Sequence, residues 1–229
     1  MNKFGAIVSS EIEISHVYFI NLPTRLDRLE HMYEQLKYCS WSWSRVEAIR
    51  LEKPAEELGF ELIPRLKGKT HVVSIWLSHR KALQTVLDTG GTSSFLILED
   101  DVQIQPEIWG QTLSLRCDLP TDWEILLISP RFRIRNLDTE GKPIGWGWKW
   151  LKAPFGQKAV LLCEIPKEFV CTGAHFVIFR DLNTIRKVVN EMDACHQLFD
   201  VDLFYLLRFK TYGIEDERVG TRPLGSDHH

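Results

Sequence analysis

Short apolar runs alternate along the chain with segments whose apolar residues recur every three or four positions. The runs at residues 17–21, 95–98, 124–128 and 174–179 are largely unbroken, which predicts strands covered on both faces, and residues 41–46 are expected to form a further strand. Helical spacing predicts helices over residues 24–36, 72–87, 106–117, 182–192 and 201–209. This alternation predicts an α/β fold with a mostly parallel central sheet and helices on both faces.

Capping and turn residues mark the ends of several predicted helices. Thr24 and Asp181 are expected to be N-caps, and Gly90 and Gly91 are expected to end the second helix. Residues 51–70 are rich in charge, proline and glycine, which predicts an irregular connection.

We expect residues 1–229 to form a single domain, with a hairpin or lid insertion at residues 131–166 and a C-terminal tail at residues 210–229. The insertion contains Trp146, Trp148 and Trp150, which strict strand alternation would place on one face. Two interpretations stay open: a mobile lid whose tryptophans stack on a sugar, or a hairpin packed on the domain.

Three consecutive carboxylates, Glu99, Asp100 and Asp101, follow the buried run at residues 95–98. Open α/β sheets bind ligands beyond the carboxyl ends of such strands. In an extended chain Glu99 and Asp101 point one way and Asp100 points the other way. Glu99 and Asp101 would then hold a hard divalent cation through oxygen ligands. The alternative is a solvated acidic turn.

Composition excludes several classes of function. The chain has 229 residues, 44% of them hydrophobic, and a net charge of -3, which argues against a dedicated nucleic-acid-binding protein. Its five cysteines show neither zinc-ligand spacing nor a disulfide framework, as expected in a reducing compartment. No apolar stretch has the length of a signal peptide or a membrane span, so a cytoplasmic location is expected, compatible with peripheral contact with a membrane. His228 and His229 are either native or part of a tag.

Several motifs resemble those of glycosyltransferase family 25, which includes bacterial lipopolysaccharide galactosyltransferases and collagen galactosyltransferases. The opening segment VYFINLPTRLDR, at residues 17–28, resembles the start of that family. Further matches follow in order: RVEA at 45–48, LSHRKAL at 77–83, LEDD at 98–101, DWEIL at 122–126, TGAH at 172–175 and VD at 201–202. The resemblance covers about residues 17–205, and residues 226–228 loosely resemble its C-terminal block.

The resemblance implies a GT-A-like fold and transfer of a hexose, with galactose favoured, from a UDP-sugar to a hydroxyl with inversion. The acceptor would be a glycan, a lipid-linked sugar or a peptide, as in lipopolysaccharide biosynthesis. A bound Mn²⁺ or Mg²⁺ would neutralise the leaving diphosphate. Asp101 is the first expected metal ligand, and Glu99 or Asp100 would contact the metal or the donor ribose.

An inverting transfer needs a base that takes the proton of the acceptor hydroxyl. Asp202, at the start of an apolar helix, is the expected base, with Asp200 in reserve. The alternative role for Asp200 is an ordinary helix N-cap.

The resemblance also implies a set of donor-binding residues, several of which have a plain structural alternative. A helical histidine such as His79 is commonly a core group, and an arginine in the first turn of a helix is commonly solvated surface. His175 would contact the donor, the acceptor or the metal. The expected donor-binding residues are Asn21, Leu22, Arg28, Ala48, Ser78, His79, Glu99, Asp100 and His175, with Arg25 less favoured.

Two other classes of function stay open. One is a family member without catalysis that acts as a sugar-binding or partner-binding module, which the presence of Glu99, Asp101 and Asp202 disfavours. The other is a nucleotidyltransferase, which would want a glycine- and lysine-rich phosphate loop early in the chain, and none is found near Asn21.

Overall fold

A computed structural model describes residues 9–137, 143–151, 158–164, 169–171, 175–198 and 200–221. The strands in these ranges are β1 (Ser10–Ile12), β2 (Ile14–Asn21), β3 (Trp43–Glu47), β4 (Ser94–Glu99), β5 (Val102–Ile104), β6 (Leu113–Leu115), β7 (Ile125–Ile128), β8 (Phe132–Leu137), β9 (Pro143–Leu151), β10 (Val160–Leu161), β11 (Phe169–Cys171), β12 (Phe176–Phe179), β13 (Thr211–Ile214) and β14 (Val219–Thr221). The α-helices are α1 (Leu26–Leu36), α2 (Thr70–Thr89), α3 (Leu182–Asp193) and α4 (Val201–Arg208).

A seven-stranded sheet forms the centre of the described structure, in the order β10-β13-β7-β12-β4-β2-β3. Strands β3, β2 and β4 pair in parallel, as do β7 and β13. Strand β12 is antiparallel to both of its neighbours, β4 and β7, and β10 is antiparallel to β13. Because β12 runs against β4, the residue that precedes β12 lies at the same edge of the sheet as the residue that ends β4.

Helices cover both faces of this sheet. On one face, α2, α3 and α4 contribute Trp76, Ile185 and Phe204 to a core that includes Tyr18 and Ile97. On the other face, α1 contributes Met32 and Leu36 to a core that includes Phe19 and Leu96. The buried apolar residues of β2 and β4 therefore serve both cores in alternation, as expected for strands covered on both sides. The predicted α/β class, with its mostly parallel sheet and helices on both faces, is confirmed.

Several local predictions are confirmed and others are wrong. Asp181 caps α3 by accepting a hydrogen bond of 2.7 Å from the amide of Thr184, and α2 ends at Gly90 with φ of 78°. Helix α1 begins at Leu26 without a side-chain cap, so Thr24 is not its N-cap. The helix predicted over residues 106–117 is instead the 3₁₀ turn Pro106–Ile108 followed by β6, where alternation buries Leu113 and Leu115.

The segments predicted as an insertion and as a C-terminal tail also contain regular structure. Strands β8, β9 and β11 form an antiparallel sheet in the order β11-β8-β9. The register of β8 with β9 shifts between the Arg133–Trp150 pair and the Ile134–Gly147 pair. The expected tail is wrong as far as Thr221, because β13 lies inside the central sheet and β14 pairs with β5. Residues 226–229 lie outside the described ranges.

None of the helices in the described ranges combines the length and the hydrophobicity needed to cross a membrane.

Candidate active site

The carboxyl edge of the central sheet brings together residues that are far apart in the chain. Strand β4 ends at Glu99, β2 ends at Asn21, and the antiparallel β12 places His175 at the same edge. The amide of Glu99 donates a hydrogen bond of 3.0 Å to the carbonyl of His175, which joins the two segments directly. The acidic turn therefore opens between two strands of the sheet, at the edge where α/β proteins bind ligands.

Glu99, Asp101 and His175 form a compact cluster at this edge. The Nδ1 atom of His175 lies 2.6 Å from Oε2 of Glu99 and 2.8 Å from Oδ1 of Asp101. One ligand atom from each of these residues lies within 4.8 Å of the other two, an arrangement suited to a metal ion. The side chains are 13–26% exposed, so the cluster is recessed but remains in contact with solvent.

Buried polar atoms without a hydrogen-bond partner indicate whether the cluster fits a cation. Oδ1 of Asp101 and both ring nitrogens of His175 are buried and have no aligned hydrogen-bond partner, although the two carboxylates are close to the ring. Buried polar atoms in folded proteins are normally hydrogen-bonded, and an exception calls for an explanation such as an ion. The two carboxylates are the oxygen ligands that Mn²⁺ and Mg²⁺ prefer, and the imidazole adds a nitrogen ligand of the kind that transition-metal ions accept. The residues present therefore fit a divalent cation.

The charged groups of the cluster shift one another's pKa values. Burial favours the neutral form of His175, but the carboxylates of Glu99 and Asp101 outweigh it and raise the pKa of His175 to about 10. Burial likewise favours neutral Glu99, yet the nearby His175 and His79 rings lower the pKa of Glu99 well below its usual value. Glu99 is therefore held as a carboxylate, and positive charge is favoured between the acidic side chains.

Asp100 faces the opposite side of the turn, as the extended-chain argument predicts. Its Oδ1 accepts a hydrogen bond of 2.7 Å from Nη1 of Arg28, and its Oδ2 accepts one of 2.8 Å from Nδ2 of Asn21. Burial raises the pKa of Asp100 by more than Arg28 and Asn21 lower it. The network joins the acidic turn to α1 and to the end of β2. Asp100 and Arg28 form an ion pair within the protein.

A second contact from α1 holds the chain just beyond the turn. The amide of Gln35 accepts a hydrogen bond of 2.6 Å from the backbone of Ile104 and donates one of 3.0 Å to the carbonyl of Val102. Because Arg28 and Gln35 are seven residues apart, they lie on the same face of α1. That face fixes the acidic turn at Asp100 and again at β5.

His79 supports the other side of the turn from within α2. Its Nε2 lies 3.3 Å from Oε1 of Glu99, and its Nδ1 lies 3.1 Å from the hydroxyl of Tyr205 in α4. His79 is 1% exposed and Tyr205 is fully buried. Direct contact between His79 and a donor would require this network to open.

Asp202 lies in the first turn of α4 and is partly buried beside the cluster. Burial, reinforced by the negative charge of Glu99, raises the pKa of Asp202 to about 6. Asp200 occupies the N-cap position of α4, but its side chain makes no capping hydrogen bond. Its negative charge contributes to the raised pKa of Asp202.

The remaining predicted donor-binding residues make internal contacts around the edge. Ser78 is buried, where its hydroxyl accepts a 2.8 Å hydrogen bond from the backbone of Ile49 and donates to the carbonyl of Ser74. The amide of Ala48 bonds to the carbonyl of Asn21, and the carbonyl of Leu22 accepts from the backbone of Arg25. Arg25 itself pairs with Asp27 at the surface. Residues 172–174, which precede His175 in its motif, lie outside the described ranges.

Sequence reasoning did not identify Tyr205 or Gln35. Tyr205 sits inside an apolar helix and reads as a core residue, but it is three residues after Asp202 and therefore lies on the same helix face. That spacing is the signal that would have found it. Gln35 carries no comparable signal, because the contacts that join it to β5 are with backbone atoms 67 and 69 residues away.

Comparisons with known proteins give weak likenesses only. No family model matches the chain, and no curated protein matches it. Among solved structures, it is similar to a glycosyltransferase involved in glycosylation of the major capsid of PBCV-1, with 13% identity, a TM-score of 0.39, and coverage of 76% of this chain and 64% of that one. It is also similar to A197 from STIV, with 12% identity, a TM-score of 0.39, and coverage of 88% and 82%.

A third similar structure is the apo-form glycosyltransferase GlyE of Streptococcus pneumoniae TIGR4, with 8% identity and a TM-score of 0.37. It matches 87% of this chain and 45% of that one. The chain thus spans less than two thirds of the length of either named glycosyltransferase. Likenesses of this strength carry no argument about activity, so the functional argument rests on the site.

Proposed function

We propose that the protein is a metal-dependent glycosyltransferase of the family 25 type, with a GT-A-like fold, which transfers a hexose from a UDP-sugar to a hydroxyl acceptor with inversion. The observation that carries the proposal is the meeting of Glu99, Asp101 and His175 at the carboxyl edge of the sheet, with Asp202 within electrostatic reach. Galactose is the favoured sugar, and a glycan, lipid-linked or peptide hydroxyl is the acceptor.

Glu99, Asp101 and His175 would hold Mn²⁺ or Mg²⁺. The bound cation supplies neutralisation of the negative charge that develops on the departing diphosphate. The protein's own contribution is to hold the two carboxylates in place. The hydrogen bond from Glu99 to the His175 backbone and the anchoring of Asp100 by α1 both serve that purpose.

Asp202 would act as the base in this reaction. A base works best when its pKa lies near the working pH, and burial together with Glu99 raises the pKa of Asp202 to about 6. Its carboxylate would take the proton of the acceptor hydroxyl as that oxygen attacks the anomeric carbon. Asp200, next to it in the chain, is the reserve for this role.

The ends of β2 and β3 would border the nucleotide, through Asn21, Leu22 and Ala48. Ser78 would contribute by holding the segment after Ala48, since its hydroxyl bonds to the backbone of Ile49. Arg28 would act on the donor only indirectly, because its guanidinium is paired with Asp100.

The test is calorimetry of UDP binding in the presence and absence of Mn²⁺. We expect UDP to bind tightly only with the metal, and Asp101→Ala to abolish that dependence. Asp88→Asn, which changes an exposed acidic residue of α2, is the matched control and should bind UDP like the wild type. Metal-independent binding of equal strength in the wild type and in Asp101→Ala would contradict the proposal.

A screen of UDP-sugars for Mn²⁺-dependent hydrolysis then distinguishes an enzyme from a binding module. Turnover of one UDP-sugar supports transfer chemistry, whereas Mn²⁺-dependent UDP binding without turnover of any donor, with or without acceptor glycans, would favour the module.

A further inference from the structure

One oxygen of Glu99 is the end of a row of hydrogen-bonding contacts that runs through two buried side chains from different helices. The ring of His79, in α2, contacts Oε1 of Glu99 through Nε2 at 3.3 Å. The opposite ring nitrogen contacts the hydroxyl of Tyr205, in α4, at 3.1 Å. The second oxygen of Glu99, Oε2, is the one that faces His175 at 2.6 Å. The two oxygens of this carboxylate therefore have different surroundings.

The chemistry of a neutral imidazole limits how Tyr205, His79 and Glu99 can be hydrogen-bonded to one another. A neutral ring donates from one nitrogen and accepts at the other. If Nδ1 carried the proton, the lone pair of Nε2 would face the Glu99 carboxylate and no bond would form there. If the Tyr205 hydroxyl donates to Nδ1, the proton sits on Nε2 and is donated to Glu99. Only this second tautomer satisfies both contacts.

We propose that Tyr205 and His79 are positioning residues for the metal ligand Glu99. The Tyr205 hydroxyl fixes His79 as the Nε2–H tautomer, which holds Oε1 of Glu99 and leaves Oε2 directed at the cation. This inference rests on the metal site of the proposed function. A supporting shell of this kind orients the ligands of metal sites in general, and its removal typically weakens metal binding by about 10- to 100-fold.

The same contact links the candidate base to the metal ligand. Asp202 and Tyr205 are three residues apart on α4, so they lie on one face of that helix. The bond from Tyr205 to His79 consequently sets the position of the α4 face that carries Asp202 relative to Glu99. Loss of the Tyr205 hydroxyl would loosen both the metal site and the placement of the base.

The first test is Mn²⁺ titration, followed by electron paramagnetic resonance, of Tyr205→Phe. Its matched control is Tyr212→Phe, which also removes one tyrosine hydroxyl, bonded to Asp122 at 3.1 Å. We expect Tyr205→Phe to bind Mn²⁺ at least tenfold more weakly than the wild type, and Tyr212→Phe to stay within twofold. Wild-type affinity in a folded Tyr205→Phe variant would overturn the inference. A wild-type protein that binds no Mn²⁺ would instead defeat the proposed metal site.

The second test needs no change at Tyr205. Long-range ¹⁵N–¹H spectra of the wild-type histidine rings should show His79 as the Nε2–H tautomer, and the Nδ1–H tautomer would overturn the inference. A pair of variants adds a binding readout: His79→Gln places an amide donor near the Nε2 position, whereas His79→Asn places one near Nδ1. We expect His79→Gln to retain more Mn²⁺ affinity than His79→Asn, and the reverse order would contradict the proposed role.

Discussion

Asp100 and Asp101 are neighbours in the chain and carry the same side chain, yet the protein surrounds them with opposite chemistry. Asp100 is buried and bonded to Arg28 and Asn21, so its charge is matched from within the fold. Asp101 faces Glu99 and His175, and its Oδ1 has no aligned hydrogen-bond partner. One half of the acidic turn is therefore neutralised from within the fold, while the other half, the ligand-facing side, is where we propose that a cation binds.

The largest expected effect is on catalysis, on the ligand-facing side of the turn. Asp202→Asn should lower transfer by about 10²–10⁴-fold, the usual contribution of a general base. UDP and Mn²⁺ affinities should stay near wild type, because Asp202 is not among the proposed ligands. Steady-state kinetics with a measured donor affinity checks this. Retained turnover would move the role to Asp200 or to another group.

Stability should show the opposite pattern across the turn. Asp100→Asn leaves the Arg28 charge buried without its partner, which should cost about 3 kcal/mol of unfolding free energy. Asp101→Asn removes both the repulsion of Glu99 and the attraction to His175, so stability should change by less than about 1 kcal/mol. Denaturant unfolding measures both values. Equal losses in the two variants would remove the distinction between the sides.

A double-mutant cycle sharpens that result. If the cost at Asp100 comes from the orphaned Arg28 charge, the double variant Asp100→Leu with Arg28→Met should lose less stability than the sum of its single variants. Additive losses would show that the two side chains act independently.

The ligand-facing side should also carry a stability cost in the absence of ligand. The pKa of Asp202 is raised to about 6, so folding favours its protonated form, and the wild type gains stability as the pH falls from above 6 toward 4. At pH 8, Asp202→Asn should therefore be more stable than the wild type by at most about 3 kcal/mol. Thermal unfolding at a series of pH values should show this difference shrinking to near zero below pH 4. A difference independent of pH would contradict the raised pKa.

The smallest effect is expected far from the turn, where Asp181 caps α3. Asp181→Ala should cost about 1 kcal/mol, the usual value of an N-cap, with no change in Mn²⁺ binding. This variant sets the scale for a purely structural carboxylate. A loss of metal binding here would show that stability alone controls the metal site.

The sequence predicts most of the framework because the central strands are short apolar runs and because the side chains of the acidic turn point alternately to opposite sides. The runs that form β2 and β4 indicate burial on both faces, and the extended-chain rule separates Asp100 from Glu99 and Asp101. The helix predicted over residues 106–117 is wrong because its apolar positions fit a short strand after Pro106 equally well. The sequence does not predict β13, because four residues, one of them glycine, carry little hydrophobic pattern.

The supporting contacts of the site could not be predicted in the same way. The partners of Asp100 and Glu99 lie 72 and 20 residues away in the chain, on helices whose rotation the apolar pattern fixes only coarsely. Arg28 reads as surface and Tyr205 reads as core. Their roles depend on which helix face meets the edge of the sheet, and packing of the whole domain determines that.

The most direct test of the contrast is a crystal of the protein soaked in Mn²⁺, with anomalous scattering recorded for the metal. We expect one strong peak bounded by Glu99, Asp101 and His175, with Asp100 still paired to Arg28. An ordered ion bound by Asp100, or a fully occupied Mn²⁺ site elsewhere with none at this cluster, would contradict the account.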